Sequence, residues 1–533
     1  MFGIKTKRRA AAADLTTFVP QAAPSRIRYN LDQPLLSLTG KDRWTMRDAF
    51  QGTCIMGGTG SGKTSGSGRA IAHAFLRAGF GGLVLCAKPG ERQQWQQYAN
   101  ETGRERSLIV FDASGQRRFN WLDYEMRRGD RLVTHNLVML FMRIMEAAKG
   151  RDGAGQGGND QFWQDAVQEL LSNAFLVLYS AWGSVTLADL MALLMSAPGS
   201  LEEGRDPEWR ERSFCFESLE KMVKDPVFPL TQNDAVVAGR YFQRRWPTLS
   251  DRTKSSVELH LTSLISPFLT GYLNEIFCTD TNIIPEFTHE GAVIVVDLPI
   301  KEHGDAGLLA AHVWKYLWQR AAERRNAEGN PLARPLFLWA DECQFFVSKY
   351  DGEFQSTARS SKAATVYLTQ SLPAFYERIG TRTVEHSTHA LINNFQTRIF
   401  HQNLDATTNH HAADLIGRNW FTIRSWGSNR GGSTSSGETV GITQGGSYSS
   451  NGRDPGTSTS SWGWSKSRSY NESHSWGTSE NYTQQVEHEV LPSTFTRLRQ
   501  GGRDGYPQAI VVQGGRMWKH NKRAYLLCEF PQS

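Results

Sequence analysis

The chain has 533 residues, a formal net charge of +6 and a sequence pI near 8.9. This length exceeds what one ordinary hydrophobic core supports, so two or three domains are expected, and 39% hydrophobic residues suffice for real cores. The modest positive charge permits nucleic-acid binding without indicating it. The basic start (Lys5, Lys7, Arg8, Arg9) is followed by no apolar segment, so we predict no signal peptide.

The first α/β segment covers residues 50–124, after an N-terminal extension over 1–49. An apolar run at Thr53–Met56 leads into a glycine-rich turn and a helix through Phe75. Two further strands are predicted at Gly82–Cys86 and Leu108–Phe111. Strand, loop, helix and strand in this order are typical of a parallel sheet.

Residues 125–280 are predicted to form an all-α insertion. Apolar residues recur three and four apart over Asn136–Ala147 and Phe162–Leu178, and Thr186 is placed to cap a helix that runs to Met195. The uncharged stretch Leu170–Ala188 approaches the length of a membrane span. Because it continues an amphipathic helix and contains several polar residues, we interpret it as a buried helix of a soluble protein.

The α/β pattern resumes over residues 281–424 and ends with C-terminal strands in 483–533. Six strands are predicted there: Ala292–Leu298, Leu336–Ala340, Thr365–Thr369, Thr397–His401, Ala509–Gln513 and Tyr525–Phe530. Between them, residues 425–482 are dominated by Ser, Gly, Thr and Asn with scattered Trp and Tyr. This composition favours a disordered linker, although serines two residues apart leave an extended hairpin arm as the alternative.

Cysteine and histidine positions do not indicate a zinc site. The six cysteines form no C-x-x-C pair, and four of them lie in apolar strand-like runs: Cys54, Cys86, Cys343 and Cys528. They are expected to be buried small side chains in a reducing compartment. Five histidines cluster without cysteine or paired acidic ligands, which favours packing or surface roles: His386, His389, His401, His410 and His411.

The strongest motif is a phosphate loop between the first strand and its helix. It matches G-x-x-x-x-G-K-[ST] at every fixed position, and its nucleotide-binding residues are Gly57, Gly58, Thr59, Gly60, Ser61, Gly62, Lys63, Thr64 and Ser65. Glycines let backbone N–H groups surround a β-phosphate. Lys63 is expected to reach the β- and γ-phosphates, and the Thr64 hydroxyl is expected to bind Mg²⁺. ATP and Mg²⁺ are therefore the predicted cofactors.

A second motif, at the end of the predicted strand Leu336–Ala340, completes the predicted catalytic site. Asp341 follows the strand and is expected to hold the magnesium shell, and Glu342 is expected to polarise the attacking water. Gln370 ends another strand, as a γ-phosphate sensor would. Arg359 precedes that strand and is a candidate arginine finger for a neighbouring subunit. The last two could instead be plain polar surface residues.

Together these motifs resemble the type IV coupling proteins of bacterial conjugation, the TraG/TraD/TrwB-like ATPases of the RecA and FtsK/HerA lineage. Besides the phosphate loop, the resemblance rests on segments in the family's order and spacing: Ala87–Glu91, Phe119–Asp123, Asp160–Trp163, Leu336–Glu342, Thr357–Ser360 and Leu368–Ser371. It covers roughly residues 50–425 and the last forty. It implies a RecA-like nucleotide-binding domain with a parallel sheet, interrupted by the all-α domain.

The resemblance also implies partners and a cellular place. Hexamers of the family bind ATP between subunits and move DNA, or a relaxase–DNA complex, toward a secretion channel, so DNA, a relaxase or other secretion substrate, and inner-membrane secretion components are the expected partners. Most members begin with transmembrane helices, and none is predicted here. A bacterial cytoplasmic protein, peripherally attached to the inner membrane through secretion partners, is therefore expected.

Two other functions remain open from the sequence. The chain could be a secretion or pilus-assembly ATPase of the same lineage that acts on protein. Alternatively it could be an ATP-switched adaptor that recruits cargo through its helical domain without translocating it. DNA-stimulated turnover distinguishes a coupling ATPase that moves DNA from both of these alternatives.

Overall fold

The computed structural model describes residues 27–126, 137–142, 160–379, 384–434, 472–502 and 505–532. Its chain divides into two compact units, of which the first comprises Met1–Ile416 with Pro492–Ser533 and the second comprises Gly417–Leu491. Of the predicted helix Asn136–Ala147, residues 137–142 are described, and the basic start at Lys5 lies outside the described residues.

A nine-stranded sheet forms the centre of the first unit. Its strands are β3 (Thr53–Met56), β4 (Gly81–Leu85), β5 (Leu108–Asp112), β6 (Val293–Asp297), β7 (Leu336–Ala340), β8 (Ala363–Thr369), β9 (Thr397–His401), β12 (Gln508–Gln513) and β13 (Tyr525–Glu529). The spatial order is β13-β12-β9-β3-β8-β7-β4-β6-β5. The seven strands from β9 to β5 run parallel, whereas β12 pairs antiparallel with both β9 and β13.

Hydrophobic burial on both faces explains why these segments form a central sheet. Every residue of β3, β4, β7, β8 and β9 is buried, as parallel strands covered by helices require. The α/β fold with a parallel sheet is confirmed, and all nine strands predicted from the sequence are present with ends shifted by at most two residues.

Residues before the phosphate loop also contribute to the core. Strands β1 (Pro34–Ser37) and β2 (Arg43–Thr45) form an antiparallel pair that the sequence did not predict. Trp44 is buried, and its indole N–H donates to the Thr397 hydroxyl on β9 at 3.2 Å. The end of the N-terminal extension is therefore packed against the sheet.

Helices pack around the sheet and carry the chain between strands. In this unit they are Met46–Ala49, Arg69–Arg77, Glu91–Thr102, Ile300–Arg324, Lys349–Thr357, Leu372–Ile379, Val384–Asn393, Ala406–Ile416 and Pro492–Thr496. The helix Ile300–Arg324 is kinked at Gly304, which has φ 56° and ψ −132°. Aromatic rings such as Phe75, Trp95 and Phe337 fill the layer between the helices and the strands.

The segment between β5 and β6 is helical, as predicted, and no strand occurs in its described residues. Its helices are Trp121–Met126, Asp160–Trp182, Leu187–Met195, Pro207–Arg212, Phe214–Lys224, Gln232–Arg240, Asp251–Leu269 and Gly271–Phe277. Thr186 caps its helix by accepting from the Asp189 N–H. Asn120 donates to the Thr279 carbonyl at 3.2 Å, so the two ends of the insertion are held together.

No single helix of the described chain is both long enough and apolar enough to cross a membrane. Asp165–Trp182 and Leu187–Met195 meet the length and composition criteria only as a pair, and they are bent by 110° at the break between them.

The second unit contains a long antiparallel hairpin. Strand β10 (Arg418–Thr434) pairs with β11 (Glu472–His488) in continuous register from Arg418↔His488 to Thr434↔Glu472. The favoured prediction of a disordered linker is therefore wrong for these strands, and the alternative of an extended arm describes them. Arg424 stabilises the ladder because its guanidinium lies 4.1 Å from the Trp426 ring and pairs with Glu480 at 2.5 Å. Residues 435–471 lie outside the described residues.

Candidate nucleotide-binding site

The phosphate loop begins where β3 ends and is fixed by its two neighbouring strands. The Gly57 N–H donates to the Thr369 carbonyl at 3.2 Å, and the Gly58 N–H donates to the Gln402 carbonyl at 2.8 Å. A Cβ atom at Gly57 would lie 2.5 Å from the Ser61 Oγ and 2.7 Å from the His401 Cβ. Only glycine fits at position 57 without displacing the loop.

The second fixed glycine allows the loop to enter its helix. Gly62 has φ 85°, a left-handed conformation that favours glycine, and a Cβ there would lie 2.5 Å from the Pro507 Cβ. A π-helical turn over Lys63–Gly68 follows and continues into the helix Arg69–Arg77. The loop therefore leads directly into the amino end of a helical segment, the position at which proteins commonly bind anions.

Lys63, Thr64 and Asp341 meet at the mouth of the loop. The Thr64 hydroxyl donates to Asp341 Oδ2 at 2.7 Å, although 277 positions separate the two residues. The Lys63 side chain is 9% exposed, and its Nζ lies 3.9 Å from Glu342 Oε1. Hydroxyl and carboxylate oxygens, as in Thr64 and Asp341, are the ligands that Mg²⁺ prefers, and the ammonium group of Lys63 suits a phosphate. These residues therefore fit a magnesium–nucleotide complex.

Glu342 occupies a left-handed backbone conformation, with φ 50° and ψ 47°. A non-glycine residue in this region is uncommon and costs on the order of 1–3 kcal/mol. The conformation is supported by a hydrogen bond from the Glu342 N–H to Asp341 Oδ1 at 2.9 Å. As a result, the Asp341 carboxylate contacts Thr64, whereas the adjacent Glu342 carboxylate contacts Lys88.

The carboxylate of Glu342 is buried yet ionised. It accepts from Lys88 Nζ at 2.5 Å and from Gln344 Nε2 at 2.8 Å. Burial raises its pKa, but the hydrogen bonds from Lys88 and Gln344, with the charge of Lys63, outweigh burial and lower the pKa to about 2. Burial by itself would lower the pKa of the Lys88 ammonium, and contact with Glu342 raises it instead.

A third carboxyl group, that of Glu91, lies near Asp341 and Glu342. Glu91 opens the helix Glu91–Thr102 and accepts from the Ala87 N–H at 2.9 Å. Burial, followed by the nearby charge of Asp341, raises the pKa of Glu91 to about 8. At neutral pH Glu91 is therefore largely protonated and adds little negative charge to the site.

His401, at the end of β9, packs against the phosphate loop. It is fully buried, and its Nε2 lies 2.7 Å from the Ser67 hydroxyl. Burial lowers the pKa of His401 to about 3, and the charge of Lys63 acts in the same direction. The imidazole is therefore neutral and serves as a packing and hydrogen-bonding residue, in line with the packing role predicted for it.

The two other predicted site residues lie at opposite ends of β8. Gln370 follows its carboxyl end, and the side-chain amide donates to Glu342 Oε1 at 3.1 Å. Arg359 is exposed in the turn before the amino end of β8, at the opposite end of the parallel strands from the phosphate loop. Gln370 therefore joins the site of its own chain, and Arg359 does not.

Lys88 and Gln344 were not among the predicted site residues. Lys88 lies 254 positions from Glu342, and its contact depends on β4 and β7 being neighbours in the sheet. Gln344 bridges Glu342 and the Thr369 hydroxyl, the latter at 3.0 Å. A lysine just past a buried strand of a parallel sheet was the available signal, because carboxyl ends of such strands share an edge.

No protein-family model matches the chain, and no curated protein matches it in sequence. Solved structures of the bacterial conjugative coupling protein TrwB do match the fold. The trigonal form with sulphate has a TM-score of 0.54 at 13% identity, covering 96% of each chain. The complex of the plasmid coupling protein TrwB with ADP and Mg²⁺ has a TM-score of 0.52 at 12% identity, covering 92% of this chain and 87% of that one.

A further complex, that of TrwB with a non-hydrolysable ATP analogue, has a TM-score of 0.52 at 13% identity and covers 91% of this chain and 86% of that one. At these identities the likeness is one of fold. The chain thus has the fold of a conjugative coupling protein, a P-loop α/β domain with a helical insertion. TrwB is a protein whose solved structures display this likeness.

Proposed function

We propose that the chain is a magnesium-dependent ATPase of the coupling-protein type, which drives transfer of a DNA or relaxase–DNA substrate to a type IV secretion channel. The observation that carries the ATPase part is the 2.7 Å contact between Thr64 and Asp341. It unites the two halves of a phosphate-and-magnesium site, with the carboxylate of Glu342 beside them.

The proposed roles follow from the chemistry of each side chain. Lys63 neutralises the β- and γ-phosphates, and Thr64 with Asp341 holds Mg²⁺, which supplies charge neutralisation on the phosphates when bound. Glu342 orients and deprotonates the attacking water. Gln370, in contact with Glu342, senses the γ-phosphate.

The transfer part rests on the motif resemblance together with the shared fold. TrwB is described as a conjugative coupling protein and has been observed with an ATP analogue and with ADP and Mg²⁺. From the motif resemblance, we infer that the active form of the chain is a hexamer that meets DNA, relaxase and inner-membrane secretion components. Arg359, exposed and remote from its own phosphate loop, acts as the arginine finger of a neighbouring subunit.

The test is ATP turnover by the full chain with Mg²⁺, without DNA and with single-stranded or duplex DNA, alongside the mass of the assembly. DNA-stimulated hydrolysis by an assembled form supports the proposal. Turnover that DNA leaves unchanged favours a secretion ATPase acting on protein. Nucleotide-dependent assembly without turnover favours an ATP-switched adaptor and contradicts the proposal.

A further inference from the structure

Two lysines from different elements converge on one oxygen of Glu342. Lys88 Nζ lies 2.5 Å from Glu342 Oε1, and Lys63 Nζ lies 3.9 Å from the same atom. The two ammonium groups are therefore no further apart than the sum of these distances. A phosphate held by Lys63 lies within reach of the flexible four-carbon side chain of Lys88.

The remaining acceptor positions of the Glu342 carboxylate are also occupied. Gln344 Nε2 donates to Oε2 at 2.8 Å, and Gln370 Nε2 lies 3.1 Å from Oε1 and 3.3 Å from Oε2. A carboxylate offers about four lone-pair sites, and each oxygen of Glu342 accepts two contacts, from Lys88 and Gln370 on Oε1 and from Gln344 and Gln370 on Oε2. A general base needs one of those positions for the proton of the attacking water. The observed arrangement is therefore a resting one.

The turn that carries Lys88 is fixed in its backbone, whereas the lysine side chain is partly exposed to solvent. The Ala87 N–H donates to Glu91 at 2.9 Å, and the Ala87 carbonyl accepts from the Lys301 N–H at 3.3 Å. The Lys88 side chain is 34% exposed, whereas that of Glu342 is 2% exposed. Of the two partners, Lys88 has the room to move.

We propose that Lys88 tethers Glu342 in the nucleotide-free protein and, when ATP binds, moves its side chain so that the ammonium group pairs with the terminal phosphate instead. The transfer removes the tether, so Glu342 is freed to engage water only when a γ-phosphate is present. Because ADP lacks that phosphate, the tether forms again after hydrolysis and product release. This positioning role for Lys88 rests on the proposed ATPase function.

The proposal makes Glu342 and the γ-phosphate competitors for Lys88, which a double-mutant cycle measures. Binding of ADP and of the non-hydrolysable analogue AMP-PNP, each with Mg²⁺, is determined by calorimetry for four full-length proteins: wild type, Lys88→Met, Glu342→Gln and the double variant. Lys88→Met is expected to weaken AMP-PNP binding by about tenfold or more, as loss of a charged hydrogen bond does, and to leave ADP binding within about twofold. Glu342→Gln is expected to tighten AMP-PNP binding, and the double variant is expected to lose that gain.

Two further variants separate charge from structure. Lys88→Arg keeps the positive charge and is expected to retain the preference for AMP-PNP over ADP, which also covers the case in which Lys88→Met folds poorly. Lys41→Met changes an exposed lysine elsewhere and is expected to change neither affinity.

Equal weakening of both nucleotides by Lys88→Met would assign Lys88 a structural role and overturn the proposal. So would a gain from Glu342→Gln that persists in the double variant, because simple repulsion between carboxylate and phosphate would then explain it. Failure of the wild-type chain to bind either nucleotide would contradict the proposed ATPase function itself, and the tether with it.

Discussion

Glu342 combines burial with full ionisation, two conditions that conflict for an isolated carboxyl group. The conflict is resolved because Lys88, Gln344 and Gln370 all donate to it. We expect Glu342→Gln to bind ATP at least as tightly as wild type, while turnover falls by about 10²- to 10⁴-fold, since the amide keeps the shape but accepts no proton. Binding and turnover measured on the same preparation check this. Glu328→Gln, at an exposed loop position, is the matched control, and equal loss of binding and turnover would make Glu342 structural.

The buried, neutral imidazole of His401 is expected to make the folded protein less stable at acid pH. Its pKa is lowered to about 3 by burial, so between roughly pH 6.5 and 3 the unfolded chain binds a proton that the folded chain excludes. The stability that His401 contributes is thus fully present above about pH 6.5 and is lost progressively as the pH decreases toward 3. At pH 5 the loss amounts to about 2 kcal/mol.

We expect His401→Gln to unfold with a smaller difference between pH 7.5 and pH 5 than wild type, because glutamine carries no titrating proton. Urea unfolding at the two pH values measures the difference. His520→Gln, at an exposed position, should behave as wild type does. An unchanged pH difference in His401→Gln would show that the imidazole is not the source.

Among the elements, the parallel strands could be predicted because each is a short apolar run bounded by turn residues, as Leu336–Ala340 is. Their order in the sheet could not, since adjacency of β4 and β7 depends on crossovers around a long insertion. Lys88 therefore stayed outside the predicted site. The strand pair β1–β2 escaped prediction because three- and four-residue strands carry too little periodicity.

At the level of elements, the hairpin was predicted only as the alternative to a disordered linker. Its composition is that of a disordered segment, but pairing between the two strands supplies stabilisation that the burial of apolar side chains does not. The Glu489 N–H donates to the Gly417 carbonyl at 3.0 Å, so the two ends of the arm meet. A short turn can therefore replace residues 419–487.

We expect that replacement to leave nucleotide binding within about twofold and the midpoint of thermal unfolding within a few degrees of wild type, because the nine-stranded sheet belongs wholly to the first unit. Calorimetry of binding and of unfolding checks both values. The point variant Arg424→Ala, which weakens the arm without removing it, provides the control. A loss of nucleotide binding on deletion would make the arm part of the working site.

For the whole molecule, the position of Arg359 is the informative feature. It is exposed before β8, whereas the phosphate loop follows the carboxyl end of β3. An arginine finger supplied between subunits contributes on the order of 10³ to 10⁵ in rate. Mixing inactive Arg359→Ala subunits with inactive Lys63→Ala subunits should therefore restore part of the activity, because some interfaces then contain an intact loop and an intact finger.

Turnover across a series of mixing ratios measures this recovery. Mixtures of Lys63→Ala with Arg212→Ala, an exposed arginine of the helical insertion, should follow simple dilution of active subunits. If Arg359→Ala and Lys63→Ala subunits assemble together and no ratio recovers activity, action between subunits is wrong.

The most direct test of the account is ATP hydrolysis by the purified full chain with Mg²⁺, compared with that of Lys63→Ala. The ammonium of Lys63 contributes about 1.5–3 kcal/mol to phosphate binding and more in the transition state. We predict measurable turnover by the wild-type chain, and neither turnover nor tight ATP binding by Lys63→Ala. Hydrolysis at the wild-type rate by Lys63→Ala would contradict the account.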